Sequence, residues 1–126
     1  MSDSSQSGVD PKYVRYWQQA IADQAEARRQ AQAAAWQAVE QMATCLRREF
    51  GATRIIVFGS LLSDRFGDDS DIDLAVEGIP KERYFEAVAR VNEFSDRWVD
   101  LKPLEDLDTH FRQRALATGV EIDAEG

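Results

Sequence analysis

A chain of 126 residues is long enough for one domain with a buried core and too short for two ordinary domains. Its net charge of −8 argues against non-specific binding to DNA or RNA. The one cysteine, Cys45, excludes an internal disulfide and a cysteine-only metal site. No apolar run approaches the length of a membrane helix, and residues 1–10 are too polar for a signal peptide. We therefore expect a soluble protein of the reducing cytoplasm.

Composition divides the chain into three parts. Residues 1–9 are polar and rich in serine, which is typical of a disordered arm. Residues 10–50 are dominated by Ala, Gln, Glu and Arg, and they predict an N-terminal helical extension. Residues 51–126 contain the apolar runs that predict strands, and we expect them to form the main domain.

The helical extension has clear start and stop signals. Asp10 can cap a helix, and Pro11 stands where its missing N–H does no harm. Gly51 is well placed as the left-handed residue that ends the helix. A single helix of this length would measure about 60 Å, which exceeds the diameter of the domain. We therefore expect either a break in the helix or a partner along it.

Two apolar stripes follow the predicted helix at helical spacing. The second stripe is expected to dock on a sheet, and it comprises Ala31, Ala35, Ala38, Val39, Met42 and Leu46. The first stripe comprises Val14, Trp17, Ile21 and Ala25, and we call it the distal stripe. It has no evident place inside so small a domain. It either packs against the second half of the helix or contacts a second chain.

The main domain is predicted to be α+β, with a small mixed sheet and helices on one side. The predicted elements are a buried strand 54–58, a short helix 60–66, strand 71–76, helix 81–94, strand 97–101, helix 109–117 capped by Asp108, and a short strand 120–122. We expect the aromatic side chains Tyr84, Phe85 and Phe94 in the core. Arg97 and Lys102 are expected at a solvated strand edge.

A Gly-Ser pair and an aspartate pair are the most informative motif of the chain. Gly59 and Ser60 follow the first predicted strand, and ten residues later Asp71 and Asp73 open the second. Because strand side chains alternate between faces, both carboxylates point the same way. Their repulsion is about 4 kcal/mol at ~4 Å with an effective dielectric constant of ~20. A hard divalent cation would relieve it, and polyphosphate oxygens are natural further ligands of that cation.

Asp100 is a third carboxylate, and it stands inside an otherwise apolar predicted strand. A charge at such a position is costly unless it is paired or coordinated. If this strand lies beside the second one, the three aspartates converge. Two metal ions about 3.5–4 Å apart could then stabilise the attacking and leaving oxygens of an in-line displacement. Gly59 would let the backbone approach a phosphate, and Ser60 would stand at a helix N-terminus, a natural anion site.

This pattern of Gly-Ser, ten residues, Asp-x-Asp and a later strand aspartate resembles the signature of the DNA polymerase β-like nucleotidyltransferase superfamily. The chain is short, and in this it is similar to members of the minimal nucleotidyltransferase (MNT) branch. The resemblance covers residues 51–122. It implies that Asp71 and Asp73 bind two Mg²⁺ ions. It implies that Asp100 binds the catalytic metal and accepts the proton of the attacking hydroxyl. Gly59 and Ser60 would hold the β- and γ-phosphates of a nucleoside triphosphate.

The chain departs from the family pattern just after the Gly-Ser pair. Many relatives carry a basic residue and a glycine a few places further on, where this chain has Ser63 and Asp64. Arg65 comes next, and we expect it to bind the nucleotide in place of the missing basic residue.

The resemblance implies an Mg²⁺-dependent transfer of AMP from ATP to a hydroxyl, with pyrophosphate leaving. Within the MNT branch it implies the antitoxin of a HEPN/MNT toxin–antitoxin pair, which adenylylates a tyrosine of the HEPN ribonuclease. No arginine stands five to seven residues before His110, so the toxin's Arg-x(4–6)-His motif must be on a separate chain. The distal stripe would contact that partner or a second copy of this chain.

Two further functions remain open at the level of sequence. One is adenylylation of a small molecule such as an aminoglycoside, although relatives of that kind usually have a second helical domain. The other is an antitoxin that acts by binding alone. Three mutually repelling carboxylates favour catalysis over binding alone, since a pure scaffold has no use for them.

Overall fold

The computed structural model describes residues 9–123. Of the predicted disordered arm, residues 1–8 lie outside the described residues, and Val9 is exposed. Over residues 9–123, no helix is both long enough and apolar enough to cross a membrane.

The N-terminal extension is one helix, α1, which runs from Pro11 to Phe50. The Asp10 carboxylate accepts a hydrogen bond from the Lys12 backbone N–H at 2.9 Å, and Gly51 ends the helix with φ 76°. Both predicted end signals are therefore confirmed. Of the two alternatives for so long a helix, the break is excluded: α1 is continuous because its interior holds neither glycine nor proline, and the helix extends beyond the domain.

The remaining chain forms a four-stranded mixed sheet in the order β3-β2-β1-β4. The strands are β1 Arg54–Phe58, β2 Ile72–Glu77, β3 Val99–Pro103 and β4 Val120–Glu121. β1 is antiparallel to both β2 and β4, whereas β2 and β3 are parallel. This confirms the predicted α+β class with a mixed sheet. The strands predicted at 71–76 and 97–101 begin one and two residues later than expected.

Two further α-helices and three 3₁₀ turns connect the strands within residues 9–123. The helices are α2 Tyr84–Val91 and α3 Thr109–Thr118, and the turns are Gly59–Leu62, Lys81–Arg83 and Leu104–Asp106. The short helix predicted at 60–66 is thus only one 3₁₀ turn. The predicted cap of α3 is confirmed, because the Asp108 carboxylate accepts a hydrogen bond from the Phe111 N–H at 2.9 Å.

The main core lies between one face of the sheet and the helices α1 and α2. We call this the α1 face, and its strand side chains are Ile55, Val57, Ile72, Leu74, Val76, Val99 and Leu101. The second apolar stripe of α1 docks here as predicted, with Ala35, Val39, Met42 and Leu46 buried. The expected placement of helices on one side of the sheet therefore holds for α1 and α2, but not for α3, which lies on the other side.

The opposite face, which we call the α3 face, has a smaller core. Ile56, Ala75 and Leu104 are buried on it. The rings of Phe58 on β1 and Phe111 on α3 meet edge to face, with their centres 5.7 Å apart. α3 thus packs on the side opposite α1 and α2, next to β1.

The structure excludes one of the two alternatives for the distal stripe, and one prediction about a core residue is wrong. Val14, Trp17 and Ile21 are 41%, 63% and 64% exposed, so the distal stripe does not pack against the second half of α1. A continuous helix cannot fold back on itself. Phe85 is 84% exposed and is not a core residue, because the buried side of α2 is formed by Ala87 and Val91.

The direction of α1 places the distal stripe at one particular end of the sheet. The amide of Gln32 donates a hydrogen bond to the backbone oxygen of Ser63 at 2.8 Å. α1 therefore passes over the segment that follows β1, and its earlier residues project beyond it. Because β1 and β2 are antiparallel, with Phe58 opposite Asp73, this is also the end of the sheet where β2 begins.

Candidate active site

The parallel pairing of β2 and β3 brings two of the three candidate aspartates side by side. Asp73 and Asp100 are register partners, and both lie on the α3 face between buried residues of the α1 face. Neighbouring strands are about 4.8 Å apart, so the two carboxylates are close neighbours. Asp71 is exposed, and it lies immediately before β2.

The electrostatics show that these carboxylates interact. Burial raises the pKa of Asp73 above its usual value, and the charge of Asp100 raises it further. Asp71 acts in the same direction, whereas Lys102 lowers the pKa of Asp73. The site therefore concentrates negative charge that a cation would stabilise.

Lys102 is the cation that the structure places beside these carboxylates. Its ammonium group forms an ion pair with the Asp100 carboxylate, and both side chains are half-buried. The expectation of a merely solvated strand edge is thus wrong for Lys102. It follows Asp100 by two residues, so strand alternation puts both side chains on the same face.

Gly59 is the residue at which the Gly-Ser turn lies closest to the aspartates. It has φ 80°, and a Cβ atom at this position would overlap the carboxylate of Asp73. Only glycine therefore allows the backbone after β1 to lie against Asp73. The half-buried Ser60 is in the same turn. The predicted helix N-terminus is a four-residue 3₁₀ turn, so it offers a hydroxyl and backbone N–H groups without the dipole of a long helix.

Arg97 holds the segment that leads into Asp71. Its guanidinium donates to the backbone oxygens of Ser70, at 2.9 Å, and of Gly67. It also lies over the ring of Phe66, 4.2 Å from the ring centre. The expected solvated edge is wrong here too. Sequence reasoning missed this positioning role, although an arginine two residues before β3 must lie beside the turn before β2 once those strands are known to be parallel.

Arg65, the predicted nucleotide-binding cation, is exposed. Its backbone N–H donates to the Ser63 hydroxyl at 3.1 Å. Over the described residues its side chain takes part in no hydrogen bond or ion pair. Its role in nucleotide binding stays a prediction.

The donor set suits a hard divalent cation, although it is not gathered into a complete ligand cluster. Among residues 9–123, no group of three His, Cys, Asp or Glu side chains is arranged to hold a metal ion. Asp73 and Asp100 nevertheless lie in register with mutually unfavourable charges, and carboxylate oxygens are the ligands that Mg²⁺ prefers. A bound metal ion would neutralise the carboxylate of Asp100, which Lys102 neutralises in this structure.

Two in-register aspartates beside a Gly-Ser turn, on a small mixed sheet, define a nucleotidyltransferase domain of the kind that the sequence resembles. The family model described as "Polymerase beta, Nucleotidyltransferase" matches residues 40–124. Since this is more than half of the chain, the protein belongs to that family of nucleotidyltransferases. Comparison with curated proteins and with solved structures finds no match.

Proposed function

We propose that this protein is an Mg²⁺-dependent nucleotidyltransferase that moves AMP from ATP to a hydroxyl group. The observation that carries the proposal is the register of Asp73 with Asp100 beside the close approach of Gly59. That arrangement combines a place for a divalent cation with a backbone that can approach a phosphate. The family supports nucleotidyl transfer as the class of reaction.

The residues have separate roles in this proposal. Asp71, Asp73 and Asp100 would hold the metal ions, and Gly59 and Ser60 would hold the β- and γ-phosphates. Bound Mg²⁺ supplies charge neutralisation at the attacking and leaving oxygens. Asp100 would accept the proton of the acceptor hydroxyl. The acceptor oxygen then bonds to the α-phosphorus, the bond from that phosphorus to the bridging oxygen breaks, and pyrophosphate leaves.

We further propose that the acceptor is a tyrosine of a HEPN-type toxin that docks on the distal stripe. Val14, Trp17 and Ile21 form a contiguous exposed apolar stripe on one helix, and such patches mark interaction surfaces. α1 leaves the domain over Ser63, at the end of the sheet where Gly59 approaches Asp73. A protein bound to the distal stripe would therefore lie beside the transfer site.

Labelled ATP tests the reaction and the acceptor together. The protein is incubated with Mg²⁺, a HEPN-type protein as candidate partner, and ATP labelled at either the α- or the γ-phosphate. Label should reach a tyrosine of the partner from the α-phosphate alone. Trp17→Ala should abolish partner labelling, whereas Phe85→Ala, which removes an exposed aromatic side chain of α2 at the opposite end of the sheet, should not.

The other outcomes separate the alternatives. Transfer of the γ-label would mean phosphoryl transfer and would contradict the proposal. Label in a small molecule of a cell lysate, with none in the partner, would favour an aminoglycoside-type enzyme. Binding of the partner without any labelling would favour a non-catalytic antitoxin. A stable homodimer that Trp17→Ala dissolves would assign the distal stripe to a second copy of this chain.

A further inference from the structure

A cavity of about 400 Å³ opens between the Gly-Ser turn and α3. Its lining combines both ends of that turn, an aromatic wall and the exposed side of α3: Gly59, Ser63, Phe58, Phe111, Arg114 and Thr118. Gly59 also lies against the Asp73 carboxylate. The cavity is therefore a direct continuation of the candidate active site on the α3 face.

Most basic side chains near this site already have partners. They are Lys102, paired with Asp100, and Arg97, bound to the backbone oxygens of Gly67 and Ser70. On α3 itself, Arg112 lies 3.6 Å from Glu77, at the far end of β2. Arg114 differs from them, because within residues 9–123 its guanidinium has no hydrogen bond or ion pair. Arg65 has none either, but it does not line the cavity.

The backbone beneath Arg114 is well anchored. Ala115, the next residue, is 3% exposed, and the Thr118 hydroxyl donates to the Arg114 backbone oxygen at 2.7 Å. The guanidinium thus extends from a fixed part of α3. It can approach an anion without first breaking an ion pair. Guanidinium groups bind phosphate oxygens through two parallel hydrogen bonds, and the neighbouring Phe58 and Phe111 rings exclude part of the solvent.

We propose that Arg114 binds the polyphosphate tail of the nucleotide in this cavity, and so supplies the basic contact that is missing after the Gly-Ser pair. The inference rests on the proposed function, since it requires a nucleoside triphosphate as the donor. It assigns to α3 the contact that sequence reasoning assigned to Arg65. A phosphate chain that starts beside Asp73 and passes Gly59 enters the cavity with Arg114 on its far side.

Equilibrium binding tests this assignment without any need for turnover. The probes are AMP and an ATP analogue that cannot be cleaved between the α- and β-phosphates, each with Mg²⁺. Arg114→Gln should weaken binding of the analogue about tenfold or more, and should leave AMP binding within about twofold. Arg114→Lys should recover part of the loss, because it keeps the charge without the bidentate geometry. Arg112→Gln, on the same helix, is the matched control and should bind both probes like the wild type.

Four results would overturn the inference. Arg114→Gln could bind the analogue like the wild type. Arg65→Gln could weaken binding of the analogue instead. A folded Arg114→Gln variant could weaken binding of AMP and of the analogue equally, which would show that Arg114 does not act on the polyphosphate tail. Finally, the wild-type protein could bind neither probe, and that result would overturn the proposed function as well. The first three leave nucleotide binding by the wild type intact, so the two failures are distinguishable.

Discussion

The two faces of the sheet come from the same strands and have opposite chemistry. On the α1 face, the core side chains of β1, β2 and β3 are apolar and 4% exposed or less: Ile55, Val57, Ile72, Leu74, Val76, Val99 and Leu101. On the α3 face, β2 and β3 present Asp73, Asp100 and Lys102, all half-buried. Strand alternation thus places a charged site one residue away from a dry core. The α1 face supplies the stability that lets the α3 face hold unfavourable charges.

The α3 face is itself divided. Next to β1 it is covered, because Phe58 packs against Phe111 of α3 and Ile56 is buried. Next to β2 and β3 it carries the carboxylates. The cavity lined by Gly59 and Arg114 lies between the Gly-Ser turn and α3. The candidate site therefore has a rigid apolar wall on one side and open access on the other.

The largest expected effect is on catalysis, and it comes from Asp73→Asn. Transfer should fall about 10³-fold or more, ~4 kcal/mol of transition-state stabilisation, because a proposed metal ligand is lost. Without Mg²⁺ the fold should be as stable as the wild type or more so. Burial and Asp100 raise the pKa of Asp73, so its charged form opposes folding at neutral pH. Transfer assays and urea unfolding measure the two effects.

Asp69→Asn is the matched control, since Asp69 is an exposed carboxylate in the turn before the motif. It should leave both transfer and stability unchanged. If Asp73→Asn transferred AMP at the wild-type rate, the metal assignment would be wrong. If it unfolded more easily than the wild type, Asp73 would belong to the stabilising part of the sheet, and the contrast between the two faces would fail.

The next largest effect should come from the adjacent residue on the other face. Leu74 is 0% exposed, and Leu74→Ala should cost about 3 kcal/mol of unfolding free energy through lost burial and a residual cavity. Urea unfolding would measure this cost, provided that the unfolding free energy of both proteins depends equally on urea concentration. Leu116→Ala, at a 39% exposed position, should cost about 0.5 kcal/mol or less. Equal losses at the two positions would contradict the dry packing of the α1 face.

Features that depend on neighbouring residues were predictable from the sequence. Asp10, Pro11 and Gly51 set the ends of α1, and Asp108 sets the start of α3, because capping is a local interaction. The apolar run 54–58 likewise determined β1. The family pattern after β1 then indicated the class of reaction, which the match over residues 40–124 supports.

Features that depend on residues distant in sequence were not predictable. The partners of Arg97 are backbone oxygens about thirty residues earlier, and no side-chain pattern marks them. Phe85 shares the helical spacing of its buried neighbours, yet it faces solvent because α2 presents only a narrow side to the sheet. The register of Asp73 with Asp100 could be stated only as a condition, since it depends on which strands pair.

The smallest expected effect concerns a titratable group on the α1 side, the thiol of Cys45. Burial, together with the Glu49 carboxylate 3.5 Å away, raises the pKa of Cys45 from about 9 to about 11. Between these pH values the thiol is ionised in the unfolded chain and protonated in the folded one. The folded state then holds more protons, so stability falls as pH rises above about 9 and is fully present below it.

Unfolding free energies measured at several pH values would isolate this contribution. From about pH 8 to pH 9.5 the wild type should lose about 1 kcal/mol more than Cys45→Ala, which has no thiol to ionise. Tyr84, whose pKa burial raises to about 12, acts in the same direction at higher pH and is present in both proteins. If the unfolding free energies of the two proteins fell equally with pH, a charged thiolate would be tolerated beneath α1. In that case the α1 face would differ from the α3 face in composition and not in its capacity to hold charge.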